Sequence, residues 1–243
     1  MISALCRGSL YQASRLDIDR TSSPHNLMSR SVFLAILISL SVLAGCAGRG
    51  GTGISREQEE RALEYLEEGG KYYEAHKYGR AMDAYQKAIE ITPGNAYAHY
   101  NLATTYERLN MTDEAIASYR QAIAIKPDEP VFHYDLGATF VREKKYDDAL
   151  LSFAAAIKNN PSFLEAYYGA GWIYAETGKY PEAVHNYRKA LDIDPYNVNT
   201  HFALGNLYVI LGNIKMAQKE YDILSGIDPA RADDLLNQIN KKK

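Results

Sequence analysis

Three histidines, His99, His133 and His201, recur at multiples of 34 residues and are the first candidates for chemistry. A regular row of imidazoles suggests a metal site. If the interval corresponds to one structural unit, however, equivalent side chains of adjacent units stand about 8–10 Å apart, one helix spacing. Metal–nitrogen bonds of about 2 Å cannot bridge that separation. We therefore expect a structural role for these histidines and predict no metal site and no cofactor.

Other patterns that carry catalysis are missing from the sequence. It has no glycine-rich phosphate loop, no paired-cysteine metal motif and no nucleophile motif. The formal net charge is -3, and removal of residues 1–45, which hold four arginines and two aspartates, would leave -5. No basic face or nucleic-acid motif is present. We therefore predict neither an enzyme nor a nucleic-acid-binding protein.

A 34-residue period organises most of the chain. It is marked by the prolines Pro93, Pro127, Pro161, Pro195 and Pro229. When the units are counted from residues 62, 96, 130, 164 and 198, position 8 is always small, position 20 is always alanine, and positions 11 and 24 are always aromatic. A fixed period of this length is typical of a solenoid.

Each unit is predicted to form an antiparallel pair of α-helices. Positions 4, 7, 8 and 11 share one face of a first helix, and positions 20, 24 and 27 share one face of a second. The small residues allow the two helices to approach, and the rings fill the space beside them. We predict an all-α fold, an α-solenoid of five 34-residue helix-turn-helix repeats plus a C-terminal capping helix. The repeats are 62–95, 96–129, 130–163, 164–197 and 198–231, the cap is 232–240, and the whole domain spans 56–240.

This pattern resembles the tetratricopeptide repeat over residues 62–231. The resemblance implies a concave side lined by positions 2, 5, 6, 9, 12 and 13 of each first helix, where a partner protein or peptide binds. The candidate groove residues are Tyr97, Tyr100, Asn101, Tyr134, Tyr168, Trp172, Phe202 and Asn206.

Family members that grip a partner's C-terminal carboxylate use basic residues and asparagine at positions 2, 5, 6 and 9. Only the two asparagines match here, so we do not expect that mode. The alternative is that the rings pack between neighbouring first helices and bind nothing.

A secretory signal precedes the repeats. Arg30 is followed by the apolar run Val32–Ala44, which is shorter than the roughly 20 residues that span a bilayer.

The run closes with Leu43, Ala44, Gly45 and Cys46, which resemble the lipobox of bacterial lipoproteins. The resemblance implies that Cys46 is lipidated and begins the mature chain. Residues 28–45 are then the signal proper, 1–27 an upstream segment and 46–55 the lipidated cysteine with a glycine-rich tether. An ordinary signal peptide or signal anchor with a chance tetrad is the alternative.

These features predict a lipid-anchored interaction scaffold or adaptor in the bacterial cell envelope. Ala47 after the cysteine resembles outer-membrane sorting, which implies a protein facing the periplasm in a Gram-negative host. Among lipoproteins of this architecture, the resemblance extends to pilotin-like factors for secretin or pilus assembly and to adaptors of envelope enzymes. The alternative function is a module that binds glycan or cell-wall polymer by stacking sugars on the groove aromatics.

Overall fold

The computed structural model describes residues 53–242, which form eleven α-helices and no strand. The helices are α1 (Arg56–Glu74), α2 (Tyr78–Ile91), α3 (Ala96–Arg108), α4 (Thr112–Ile125), α5 (Pro130–Arg142), α6 (Tyr146–Asn159), α7 (Leu164–Glu176), α8 (Tyr180–Ile193), α9 (Val198–Ile210), α10 (Ile214–Ile227) and α11 (Pro229–Asn240). The predicted all-α solenoid of helix pairs is confirmed. The predicted signal, the lipobox and most of the tether lie outside the described residues.

The two helices of a repeat pack through the small residues at their crossing. Ala149 on α6 is fully buried. A Cβ added to Gly137 on α5 would lie 2.7 Å from a ring carbon of Phe153, and one added to Gly169 in the next repeat would lie 2.8 Å from the same ring. Phe153 is therefore held between successive first helices, so the ring at position 24 fills the space that the small residues leave.

Every first helix is followed by a residue with left-handed backbone at position 15. Gly178 and Gly212 have φ of 74° and 70°, and His76, Asn110 and Lys144 have φ of 56°, 59° and 57°. Glycine adopts this conformation without strain, whereas a residue with a Cβ is destabilised in it. The turns of repeats 1 and 3 therefore carry backbone strain that those of repeats 4 and 5 lack.

The first helix begins at a capping box formed by Ser55 and Gln58. The Gln58 backbone N–H donates to Ser55 Oγ at 3.3 Å, and the Ser55 N–H donates to Gln58 Oε1 at 2.8 Å. These two bonds satisfy backbone groups that a helix start leaves unpaired.

The N-terminal end of the stack is polar. In repeat 2, Ala98, Leu102 and Thr105 at positions 3, 7 and 10 are buried, and Leu102 packs with Ala81 and Tyr85 of the preceding repeat. In repeat 1 the first two of these positions hold Glu64 and Glu68, which are exposed. A charged surface cannot receive another repeat without desolvation, so repeat 1 forms the N-terminal end of the stack.

The C-terminal end is closed by α11, which begins at Pro229 rather than at the predicted residue 232. Asp228 Oδ1 accepts a bond from the Arg231 N–H at 3.1 Å, and proline suits the first turn of a helix. The proline that lies in a turn between the other repeats therefore starts a helix here. Leu235 is fully buried beside Gly205. In the other repeats that have glycine at position 8, the position-24 ring of the same repeat lies beside that glycine.

The first helices line the inside of the solenoid. Helix α1 contacts α3, α5 contacts α7, and α7 contacts α9, whereas the second helices of neighbouring repeats make no comparable contact within residues 53–242. Helices that touch their equivalents lie at the smaller radius of a curved stack. We call positions 2, 5, 6, 9, 12 and 13 of the first helices the inner face. No helix between residues 53 and 242 has an apolar stretch of the length needed to cross a bilayer.

Candidate partner-binding surface

The rings at position 5 pack within the repeats. Tyr100 is only 6% exposed, and Tyr134, Tyr168 and Phe202 are half-buried. The ring centroids of Tyr100, Tyr134 and Tyr168 lie 5.9, 5.6 and 5.7 Å from those of the position-24 rings of their own repeats, Tyr119, Phe153 and Tyr187. These three position-5 rings therefore contribute to the cores of repeats 2, 3 and 4.

The following repeat also covers Tyr100, and the end of its own repeat covers Tyr134. Tyr100 stacks on Phe132 with centroids 4.8 Å apart and planes 26° apart, and Tyr134 lies 5.3 Å from Phe163. Burial raises the pKa of the hydroxyls of Tyr100, Tyr134 and Tyr168. A partner on the inner face therefore meets ring edges and hydroxyls at Tyr100 and Tyr134 rather than open ring faces.

Tyr97 already has partners within the chain. Lys126 Nζ donates to the Tyr97 hydroxyl at 2.8 Å and to Glu129 Oε2 at 2.6 Å, and the hydroxyl itself donates to Glu129 at 3.0 Å. The ammonium also lies 4.9 Å from the ring centroid. Tyr97 thus ties α3 to the turn between repeats 2 and 3, and Asn101 lies half-buried one helical turn further along.

Trp172 is the half-buried aromatic at position 9 of α7. Its ring meets Tyr146 edge-on, with centroids 6.0 Å apart and planes 77° apart. Burial, and secondarily the nearby Glu176 carboxylate, raise the pKa of Tyr146. The contact fixes one side of the indole and leaves part of its surface accessible, so Trp172 is the inner-face aromatic best placed to meet a partner.

Phe202 and Asn206 lie on α9. The Arg231 guanidinium is 5.7 Å from the Phe202 ring centroid, which joins the inner face to the C-terminal cap. Asn206 Oδ1 is buried and has no hydrogen-bond partner in the described part of the chain. An unpaired buried acceptor costs about 1–3 kcal/mol, so a donor from a partner or a water would stabilise this position.

A polar cluster at the junction of repeats 2 and 3 was not predicted from the sequence. The Tyr100 hydroxyl on α3 donates to Asp135 Oδ2 on α5 at 2.6 Å. Burial raises the pKa of Asp135 to about 7, although the Tyr100 hydrogen bond lowers it. The aspartate occupies position 6, an inner-face position, and an acid there was the sequence signal for this cluster.

Glu107 completes the acidic side of the cluster. Its Oε1 accepts bonds from the Thr139 hydroxyl and from Arg142, so the arginine on α5 pairs with the carboxylate on α3. The Tyr119 hydroxyl is fully buried and has no hydrogen-bond partner among residues 53–242. Burial raises its pKa, and the nearby Asp135 and Glu107 carboxylates raise it further. The junction thus brings together two carboxylates, one guanidinium and three hydroxyls.

The three histidines have the structural role expected for them. Nε2 of His99, His133 and His201 faces the carbonyl oxygen of the proline six residues earlier at 2.9, 2.8 and 2.9 Å, so each ring donates to the turn before its helix. Only the last of them also meets a carboxylate, that of Glu220, at 2.7 Å. No cluster of three or more metal-ligating side chains occurs in residues 53–242.

Two stretches of the chain match known repeat families. Residues 72–136 match the family described as Tetratricopeptide repeat, and residues 171–212 match the one described as TPR repeat. The chain carries tetratricopeptide repeats. Such repeats generally form non-enzymatic scaffolds that bind protein or peptide partners. No curated protein sequence matches the chain significantly.

Solved structures share this tetratricopeptide-repeat fold. MamA from Desulfovibrio magneticus RS-1 is 19% identical with a TM-score of 0.64, covering 70% of this chain and 96% of MamA. YrrB, described as a TPR protein with an unusual peptide-binding site, is 24% identical with a TM-score of 0.60, covering 72% and 92%. PilF from Pseudomonas aeruginosa is 19% identical with a TM-score of 0.63, covering 77% and 90%. At these identities the likeness concerns the fold alone.

Proposed function

We propose that this protein is a lipid-anchored scaffold of the bacterial cell envelope that binds a partner protein or peptide on its inner face. The observation that carries the binding proposal is Trp172, a half-buried indole on the inner face that is braced on one side by Tyr146. Tryptophan offers a large contact area at low entropic cost and is enriched among the residues that dominate binding energy.

Membrane attachment through Cys46 is supported by where the folded domain starts. The capped helix α1 begins at Arg56, ten residues after the cysteine, and the intervening residues include Gly48, Gly50, Gly51 and Gly53. A glycine-rich tether of this length spans on the order of 15 Å, so an anchored solenoid would work close to the membrane surface. A role in assembling a secretin, a pilus or another envelope complex belongs to this proposal.

The binding proposal is tested by photo-crosslinking in the native host. A photoreactive amino acid replaces Trp172 in one strain and Leu151 in another. Leu151 is the matched control because it lies on the second helix α6 and is 71% exposed. We expect a discrete protein adduct from position 172 and none of the same mass from position 151. Identical adducts from both positions would refute binding at the inner face.

The anchor is tested separately with Cys46→Ser. This variant should leave the membrane fraction or accumulate unprocessed, because the thiol that accepts the lipid is missing. A variant that is processed and remains fully membrane-bound would refute the lipoprotein proposal.

Glycan binding is the alternative. The stacked faces of Tyr100 and Tyr134 are already covered by Phe132 and Phe153, which leaves them little surface for a sugar ring. Retention on purified cell-wall polymer that is lost on Trp172→Ala, with no protein adduct at position 172, would favour the glycan function.

A further inference from the structure

We propose that Asp135 is the receptor for a basic side chain, lysine or arginine, of the partner segment that binds the inner face. This inference rests on the proposed binding function and names the chemistry that the partner must bring to the junction of repeats 2 and 3. The partner group is a cation, so its charge is opposite to that of the C-terminal carboxylate that some tetratricopeptide repeats bind.

The pairing of a position-5 hydroxyl with a position-6 carboxylate occurs once in the repeats. Tyr100 reaches across to Asp135 in the following repeat. Tyr134 and Tyr168 are followed at position 6 of the next repeat by Gly169 and Ala203, which have no side-chain acceptor. At one junction only, therefore, a position-6 acid lies opposite a position-5 hydroxyl.

Asp135 has no cationic partner of its own. Its Oδ2 accepts the Tyr100 hydroxyl, but no lysine, arginine or histidine lies within ion-pair distance of its carboxylate in residues 53–242. The nearest guanidinium, Arg142, is engaged by Glu107. Asp135 is half-buried, and a partly desolvated carboxylate without a cation is costly when ionised. An incoming ammonium or guanidinium would remove that cost.

The Tyr119 hydroxyl is an independent sign that the cluster lacks a component. Tyr119 has 0% exposure, its hydroxyl has no hydrogen-bond partner in the described chain, and its pKa responds to Asp135, Glu107 and Tyr100. Buried hydroxyls are normally hydrogen-bonded. The Tyr119 oxygen is therefore an unused hydrogen-bond acceptor in the same cluster as Asp135.

The charges around the site favour a cation. The groups that face Asp135 are Tyr100 and Glu107 from α3, Tyr119 from α4, and Tyr134 and Arg142 from its own helix. Only Glu107 and Arg142 are charged at neutral pH, and they neutralise each other. The ionised Asp135 is therefore the uncompensated charge of the junction.

The proton on Asp135 makes the binding dependent on pH. Burial raises the pKa of Asp135 to about 7, so the group is largely protonated at pH 6 and largely ionised at pH 8. A cation pairs only with the ionised form. Binding of a basic side chain should therefore strengthen as the pH rises from 6 to 8.

The test uses two small probes on the isotope-labelled full chain, followed by two-dimensional NMR. The probes are N-acetyl-arginine amide and N-acetyl-citrulline amide, which have nearly the same shape but differ in charge. We expect saturable shifts of the Tyr100 and Asp135 amide signals with the arginine probe, about tenfold weaker binding of citrulline, and at least about fivefold tighter arginine binding at pH 8 than at pH 6.

Two variants test whether the Asp135 carboxylate is the group that binds the arginine probe. Asp135→Asn should weaken arginine binding about tenfold and abolish its pH dependence, whereas Glu67→Gln, at the same position of repeat 1, should leave both unchanged. Equal binding of the two probes, unchanged binding by the asparagine variant, or shifts confined to α1 would each overturn the proposal. Because the probes need no natural partner, such a failure would leave the crosslinking evidence at position 172 intact.

Discussion

A ring carbon of Phe153 lies 2.7 Å from where a Cβ on Gly137 would stand. The ring cannot easily retreat, because Gly169 of the next repeat lies so near its other side that an added Cβ there would be 2.8 Å from the ring. This relationship between a small residue at position 8 and a ring at position 24 holds the two helices of the repeat together and makes the repeat sensitive to a single methyl group.

Gly137→Ala should lower the free energy of unfolding by about 1–3 kcal/mol, because the added methyl group overpacks the crossing. Gly79→Ala is the matched control: this glycine also lies in a helix, α2, but has nothing within 4 Å of an added Cβ. Because Gly79 lies in the first turn of α2, the control should leave the free energy of unfolding unchanged or raise it by up to about 1 kcal/mol, since alanine restricts the unfolded chain. Urea unfolding measures both, and equal effects of the two substitutions would argue against close packing at Gly137.

The turn strain at Lys144 predicts a stabilising substitution. Its φ of 57° matches the left-handed conformation that Gly178 adopts at the equivalent position with φ 74°. Lys144→Gly should therefore raise the free energy of unfolding by up to about 1 kcal/mol, and Gly178→Ala should lower it by roughly the same amount. Thermal unfolding of the two variants checks this, and a destabilised Lys144→Gly protein would mean that the lysine side chain contributes more than its backbone costs.

Asp135 makes stability fall as the pH rises. Burial raises its pKa to about 7 from an ordinary value of 3.8, so the folded chain holds a proton between those values that the unfolded chain has released. The free energy of unfolding should drop across pH 4–7 and stay low above that range. Asp135→Asn should be more stable than the native protein at pH 8 by roughly 1 kcal/mol or more. A native-like pH profile in this variant would contradict the assignment.

His201 and Glu220 form a second pH-dependent contact in repeat 5. Burial lowers the pKa of His201, but the hydrogen bonds to Glu220 and to the Pro195 carbonyl outweigh it and raise the pKa above 6.5. The stabilisation is complete below pH 6.5 and is lost as the pH rises through the folded value. Glu220→Gln should remove roughly 1 kcal/mol at pH 6 and less at pH 9.

His99 provides the control for that contact, because it donates to a proline carbonyl in the same way but has Ser118 where repeat 5 has Glu220. His99→Gln removes the same kind of bond to a proline carbonyl without a carboxylate partner. Unfolding curves at the two pH values separate the histidines, and a pH-independent loss in Glu220→Gln would exclude the ion pair.

The repeat period was enough to predict the fold. A residue type that recurs every 34 residues indicates a contact that recurs in every repeat. Ala149 and Phe153 are examples, because both are buried at the helix crossing of their repeat. The ends follow another rule because they lack a neighbour on one side. There, Leu235 fills the space beside Gly205 and Pro229 starts a helix, which the period alone could not predict.

The candidate site was only partly predictable. The period placed Trp172 and the position-5 rings on the first helices, but whether a ring is covered depends on the residue that the adjacent repeat presents. Phe132 covers Tyr100, and Asp135 accepts its hydroxyl. Both come from repeat 3, so their effect on Tyr100 depends on the register of two repeats rather than on the composition of one.

Binding of a partner at Trp172 can be separated from a packing role with two adjacent residues of α7. Trp172 is half-buried on the inner face, and Ile173 is fully buried in the core. Thermal unfolding, and affinity for the partner crosslinked at position 172, are measured in Trp172→Ala and Ile173→Ala. We expect roughly thirtyfold weaker binding, about 2 kcal/mol, for the tryptophan variant with little loss of stability. The isoleucine variant should lose about 2–5 kcal/mol of stability. A tryptophan variant that binds the partner as tightly as the native protein would show that Trp172 is not part of the binding site.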